Sequence, residues 1–150
     1  MSEHTGIDLL AVQVKACTGF DRYNVSLSNW KVLNSGNSDH YAIIRPGPAT
    51  RTASALTAKQ NTYRTVIEVW QRYVDDGTTL TALLDWVDVI VARLDSYRKL
   101  ADTTGELRDA NVTALGDVTE QWREKGNGPS WLRREIVVEW VEEEVITYAE

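Results

Sequence analysis

From Thr79 to Leu100 apolar residues return every three or four positions: Leu80, Leu83, Leu84, Val87, Ile90, Val91, Leu94 and Tyr97. That spacing predicts an amphipathic helix of about six turns, with Asp85, Asp88, Asp95 and Arg98 among its polar positions. Thr78 or Thr79 is its candidate N-cap, a hydroxyl placed to accept from a free amide of the first turn. Such a helix must lay its stripe on a second layer. The segment just before it supplies one. Over 63–74 the period drops to two, with Tyr63, Thr65, Ile67, Val69 and Tyr73 on one face and Val66, Trp70 and Val74 on the other. That pattern reads as a long strand, apolar on both sides and therefore central or covered by an interface.

The remaining segments fill out a sheet. A short helix is predicted over 5–17, where Ile7, Leu10, Ala11 and Val14 share a face, Thr5 and Asp8 resemble a capping box, and Gly19 is a stop signal. Residues 24–33 read as a strand through Val25, Leu27, Trp30 and Val32. After the turn cluster Asn34 to Asp39, Tyr41 to Arg45 reads as its antiparallel hairpin partner. Pro46-Gly-Pro48 ends that strand, and the Ala, Thr and Ser of 49–61 carry no period, so 46–61 reads as a long mobile surface loop. Asp75-Asp-Gly77 is a turn. Asn111 to Lys125 reads as a strand with a candidate bulge at Gly116. Trp131 to Tyr148 reads as the last strand, with Ile136, Val138 and Trp140 facing one way and Val137, Val141 and Val145 the other. The expectation is a single α+β domain over 1–150. It has a mainly antiparallel sheet of about five strands, with an N-terminal helix and the one long amphipathic helix packed on it.

Composition bounds the function. The chain is 43% hydrophobic and 25% charged, globular values for its 150 residues. Residues 1–75 hold eight Lys/Arg and six Asp/Glu, and residues 76–150 hold eight and sixteen. An acidic half with only a local basic stretch disfavours nucleic acid as the main ligand. Cys17 is the sole cysteine, so no intrachain disulfide is expected, and its helical neighbours suit a small buried hydrophobe. No stretch is long and apolar enough to span a membrane, and no secretory signal is visible, which gives the sequons Asn24-Val-Ser and Asn111-Val-Thr no context. His4 and His40 are poorly placed as catalytic bases, and neither a nucleophile elbow nor a phosphate-binding glycine loop is present. With one Cys and two distant His, no zinc set is expected. Asp75-Asp76 and Glu142 to Glu144 lack the ligand spacing of a calcium loop. The sequence therefore predicts neither enzyme nor cofactor nor metal, and points to binding of other protein subunits.

Two features nominate the contacts. No acidic residue falls between Asp39 and Glu68, while Arg45, Arg51, Lys59 and Arg64 all do. This basic flap is matched against acidic surface such as Glu142, Glu143 and Glu144 in an identical copy, a head-to-tail contact of the kind that closes rings. Trp70, Trp131 and Trp140 are the aromatic anchor candidates on the two strands that carry apolar groups on both faces. The acidic end of the last strand discourages stray edge pairing.

The order of these elements, with the strand ending Val66-Ile-Glu-Val-Trp-Gln-Arg-Tyr73 and the terminal run Arg134-Glu-Ile-Val-Val-Glu-Trp-Val-Glu-Glu-Glu144, resembles the tail terminator (tail completion) proteins of long-tailed, non-contractile bacteriophages. The resemblance covers nearly all of the chain. It implies a virion protein made in the host cytoplasm, which forms a homo-hexameric ring at the tail–neck junction. Its implied partners are the tail tube protein, whose polymerisation the ring stops, and the head–tail connector or head-closure protein. No membrane contact and no specific nucleic-acid binding are implied, although genomic DNA passes through such a ring. Other readings are a different neck protein of the connector or head-closure kind, a small α+β enzyme or ligand-binding domain with a pocket between helix and sheet, and an acidic immunity protein.

Overall fold

The computed structural model describes residues 3–35, 37–55, 58–103, 107–121 and 130–145. In chain order it contains α1 (Glu3–Lys15), β1 (Val25–Leu27), α2 (Val32–Ser35), β2 (His40–Ala55), β3 (Ala58–Arg72), α3 (Asp76–Ser96), β4 (Leu107–Leu115), β5 (Thr119–Gln121) and β6 (Trp131–Val145). The strands form one mixed sheet in the order β1-β2-β3-β6-β4, with β5 also paired to β6. β1 runs parallel to β2, and every other pairing is antiparallel. The α+β class is as the sequence predicts, with six strands and three helices among the described residues in place of about five strands and two helices.

Several boundaries differ from the sequence reading, each for a local reason. The expected strand over 24–33 stops at Leu27. Ser28 turns away in a left-handed conformation (φ 51°), and Val32 to Ser35 wind into the short α2. The hairpin expected from it is instead a parallel pair, Val25 to Leu27 against Ala42 to Ile44. The expected loop 46–61 is strand on both arms of a hairpin: β2 and β3 stay paired from His40↔Gln71 to Ala55↔Ala58, and residues 56–57 lie outside the described residues. Pro46 and Pro48 are accommodated by a register shift between Pro46 and Ala49. Gly47 is required there, because a Cβ on it would overlap the carbonyl oxygen of Arg64. The expected strand over 111–125 begins earlier, at Leu107, and breaks at Gly116 into β4 and β5; residues 122–129 are outside the described residues.

α3 starts three residues before the expected boundary. Asp75, and neither threonine, is its N-cap, accepting from the Thr78 amide at 2.8 Å. The Thr79 hydroxyl instead accepts the Val74 amide at 2.9 Å, tying the helix to the end of β3.

Both α1 and α3 lie on one face of the sheet. Ile7, Leu10, Ala11 and Val14 of α1 meet Leu83, Val87, Ile90 and Leu94 of α3, and the layer beneath is Ala42, Ile44, Ile67, Val69, Ile136, Val138 and Trp140. Burying these side chains removes apolar surface at roughly 25 cal/mol per Å², the main term holding the two layers together. Arg93 on α3 donates to Gln13 on α1 at 3.0 Å. On the opposite face α2 covers one end of the sheet with a second cluster of Leu33, Tyr41, Ile43, Trp70 and Trp131. The two-sided apolar pattern of β3 and β6 is thus accounted for within one chain.

Candidate functional site

On the face away from α1 and α3, three adjacent strands direct alternate side chains at one point. β2 contributes Arg45, β3 contributes Glu68, and β6 contributes Arg133 and Glu135. Arg45 Nε donates to Glu68 Oε2 at 2.6 Å and its Nη2 to Glu135 Oε1 at 2.9 Å. Arg133 Nε donates to Glu68 Oε1 at 3.2 Å, and its Nη2 also reaches Glu135 Oε1. The indole N–H groups of Trp30 (2.9 Å) and Trp70 (3.2 Å) complete the cage around Glu68 Oε1. The Glu68 side chain is only 4% exposed. Burial alone would raise its carboxyl pKa, but hydrogen bonds from Trp30 and Arg45 and the charge of Arg133 outweigh it and hold it below the usual carboxylate range.

The Nε and Nη2 donors of both arginines and the two indole N–H groups all meet Glu68 or Glu135, so the network pins three strands together. Its sequence signal was Glu68 itself, a lone carboxylate inside the apolar run Val66 to Trp70. Periodicity places that residue on a face without naming its partners.

Beyond the cage, β2 and β3 continue as a long hairpin with β6 alongside as far as Ala58↔Val145. This arm carries the rest of the predicted basic flap. Arg51 is exposed, Lys59 is half-buried, and Arg64 pairs across to Glu139 at 3.2 Å. Arg45 and Arg64 thus pair with carboxylates of the same chain.

The predicted acidic patch divides. Glu142 is buried, with Oε1 accepting from Asn61 (3.1 Å) and Tyr63 (3.2 Å). Glu143 is exposed, and the side chain of Glu144 lies outside the described residues. β6 sits between β3 and β4 as far as Glu142, which pairs with Leu107; beyond it Glu143 and Glu144 pair with β3 alone among the described residues.

The aromatic anchors are not on the surface. Trp140 is 0%, Trp131 2% and Trp70 7% exposed. Trp140 fills the helix-side core with its ring against Tyr63 (4.5 Å between centroids) and its N–H on Thr65. Trp131 packs on Tyr41. Among the described residues the exposed large apolar side chains are Val12, Tyr23, Leu27, Trp30, Val74, Leu80, Tyr97, Leu115 and Val118. Leu115 and Val118 flank the corner between β4 and β5, and Leu27, which the sequence reading placed in a strand, ends β1.

Two of the hollows bordered by described residues lie near α1 and β1. An open hollow of about 610 Å³ is bordered by Asp21, Tyr23, Asn24, Asn37 and Ser38. Its polar groups serve the local turn, since Asn24 Oδ1 accepts the Asp21 amide and Asp21 Oδ1 the Tyr23 amide. A notch of about 330 Å³ lies between the start of α1 and the point where β1 leaves β2, lined by Glu3, His4, Ile7, Leu27, Ser28, Ile44 and Pro46. Among the described residues no group of three or more His, Cys, Asp or Glu side chains is gathered to hold a metal ion, and no helix is long and apolar enough to cross a membrane.

No protein-family model matches the chain, and no curated protein matches it in sequence.

Proposed function

We propose that this protein is a ring-forming structural subunit, the tail terminator of a long-tailed, non-contractile phage. In that role it caps the tail tube, stops addition of tube subunits and offers its other face to the head-side connector. The observation that carries the reading is the outer strand of the β2–β3 hairpin, exposed from Pro48 to Ala53 with Arg51 on it, while β3 beside it is buried at Ala58 and Asn61. A long exposed edge strand of this kind is suited to contact a neighbour. The cage around Glu68 supports the same role by bracing the root of the arm, so that a load on the hairpin is passed to β3 and β6. Such a device works by complementarity to one partner face and mismatch to the next tube subunit, and uses no bond-making chemistry.

The test is to add the purified protein to polymerising tail tube protein. Light scattering and electron microscopy then give particle mass and tube length. The expected outcome is a ring of about six copies, the closed cyclic assembly the resemblance implies, and tubes whose growth stops. Tubes that grow to the same length distribution with and without the protein overturn the proposal.

A further inference from the structure

The two long edges of the sheet differ in a way that makes them partners. On one side β1 flanks β2 only from Ala42 to Ile44, with Ser28 closing the pairing by donating to the Ile44 carbonyl at 2.9 Å. From Arg45 to Ala55 the outer side of β2 has no strand beside it among the described residues, and Ala49 to Ala53 there is small, β-compatible, proline-free and without acid. An edge of this length is a template for strand addition, and Pro46 and Pro48 guard only its root. On the other side, β4 and β5 form an edge that carries the exposed acids Asp109, Asp117 and Glu120; the side chain of Arg108 on the same edge lies outside the described residues. That edge is bent by register shifts at Arg108/Asn111 and Val112/Ala114, and its corner is held by Arg134 Nε on the Gly116 carbonyl (2.8 Å).

We infer that the ring contact is strand addition between copies, with the β4–β5 edge of one copy laid along the open β2 edge of the next; this rests on the ring reading above. The direction follows from the topology. β2 is antiparallel to β3, β3 to β6 and β6 to β4, so β2 and β4 run in opposite senses within one sheet. A second copy joined in the same orientation therefore pairs antiparallel, the stronger of the two ladder types. β1 fixes the offset. Leu115 pairs with Ile136 and through Ile67 lies level with Ile44, so the β4–β5 edge of an unshifted copy would collide with β1. The incoming edge clears β1 when raised by about six residues, roughly 20 Å of strand. Through the registers, that step sets Glu120 beside Pro46, Asp117 beside Thr50 and Arg51, and Thr113 beside Thr52. One acidic edge then meets one basic edge, and like edges repel, which selects a head-to-tail chain of copies over a symmetric pair.

The experiment uses the full chain with Cys17→Ser as background. Thr52→Cys and Thr113→Cys proteins are prepared separately, mixed, and treated with a short bis-maleimide. Association is followed in parallel by light scattering over a concentration series for Arg51→Glu, Asp117→Lys and the two combined. The expected result is a cross-linked species only in the mixture, each single reversal weakening association about tenfold and the combined reversal restoring it. A protein that assembles or caps tubes yet gives no mixed cross-link and ignores both reversals overturns the edge contact and leaves the ring reading standing. A protein that stays monomeric at every concentration, gives no cross-link and leaves tube growth unchanged overturns both.

Discussion

The six-membered ring of Trp140 occupies the space that a side chain on Gly6 would need: a Cβ there would overlap Cη2, Cζ2 and Cζ3 of the indole. α1 therefore approaches the sheet at the one point where it has no side chain. Gly6→Ala should destabilise the fold by about 2 kcal/mol, the usual cost of overpacking a dense core, despite alanine's better helix propensity. Urea unfolding followed by tryptophan fluorescence measures it, and a more stable Gly6→Ala protein would refute the contact.

Removing the Glu68 carboxylate should be more damaging than its single charge suggests, because Arg45, Arg133 and two indole N–H groups lose their common acceptor. Glu68→Ala is expected to cost about 3 kcal/mol at neutral pH, at the lower end for a broken buried pair because both guanidinium groups keep some contact with water. The pH dependence has a definite sign. The folded-state pKa lies below the ordinary Glu value of about 4.3, so the stabilisation is complete above that value and is lost as pH falls through the lower, folded-state value. Glu68→Gln should flatten the acid limb of the stability curve, and an unchanged acid limb would exclude the cage as its source.

Asp75→Ala takes away the acceptor for the Thr78 amide and a negative charge at the positive end of α3. A loss of about 1 kcal/mol is expected, while Thr78→Ala, whose hydroxyl caps nothing in this structure, should cost much less. Thermal melts of the two variants side by side decide between the caps.

Cys17 is 6% exposed, with its thiol directed at the Gln13 carbonyl at 3.5 Å. Burial pushes the thiol pKa up, and the charge of Arg93 offsets only part of that rise. A thiol-reactive chromophore should label no cysteine in the native protein and one per chain in denaturant. Rapid labelling under native conditions would mean that the α1–α3 seam opens readily.

What the sequence disclosed tracks how strongly each segment is tied to the core. The buried stripe of α3 was legible because Leu83, Val87, Ile90 and Leu94 all meet the sheet, while Leu80 and Tyr97, read into the same stripe, are each 40% exposed at its ends. The alternation in β3 and β6 was legible for the same reason. The outer strand of the arm was hidden because an exposed strand needs no apolar alternation, and Ala49 to Ala53 looks like a loop by composition alone. Trp70 and Trp140 had the right faces, and all three of Trp70, Trp131 and Trp140 are buried within the chain. Periodicity reports that a residue is covered, and cannot say whether its cover comes from the same chain or another.

β6 is the last of the described strands to be made and yet lies between β3 and β4, some sixty residues from the nearest residue of β3 by the registers of the sheet. Until Trp131 to Val145 leave the ribosome, the sheet cannot close, and β3 and β4 each present an unsatisfied ladder. Closure of this sheet must therefore wait until β6 has been made, with slow, non-local pairing as its final step. Nascent chains stalled before Trp131 should be captured by chaperones and cut by proteases in a way that chains carrying β6 are not.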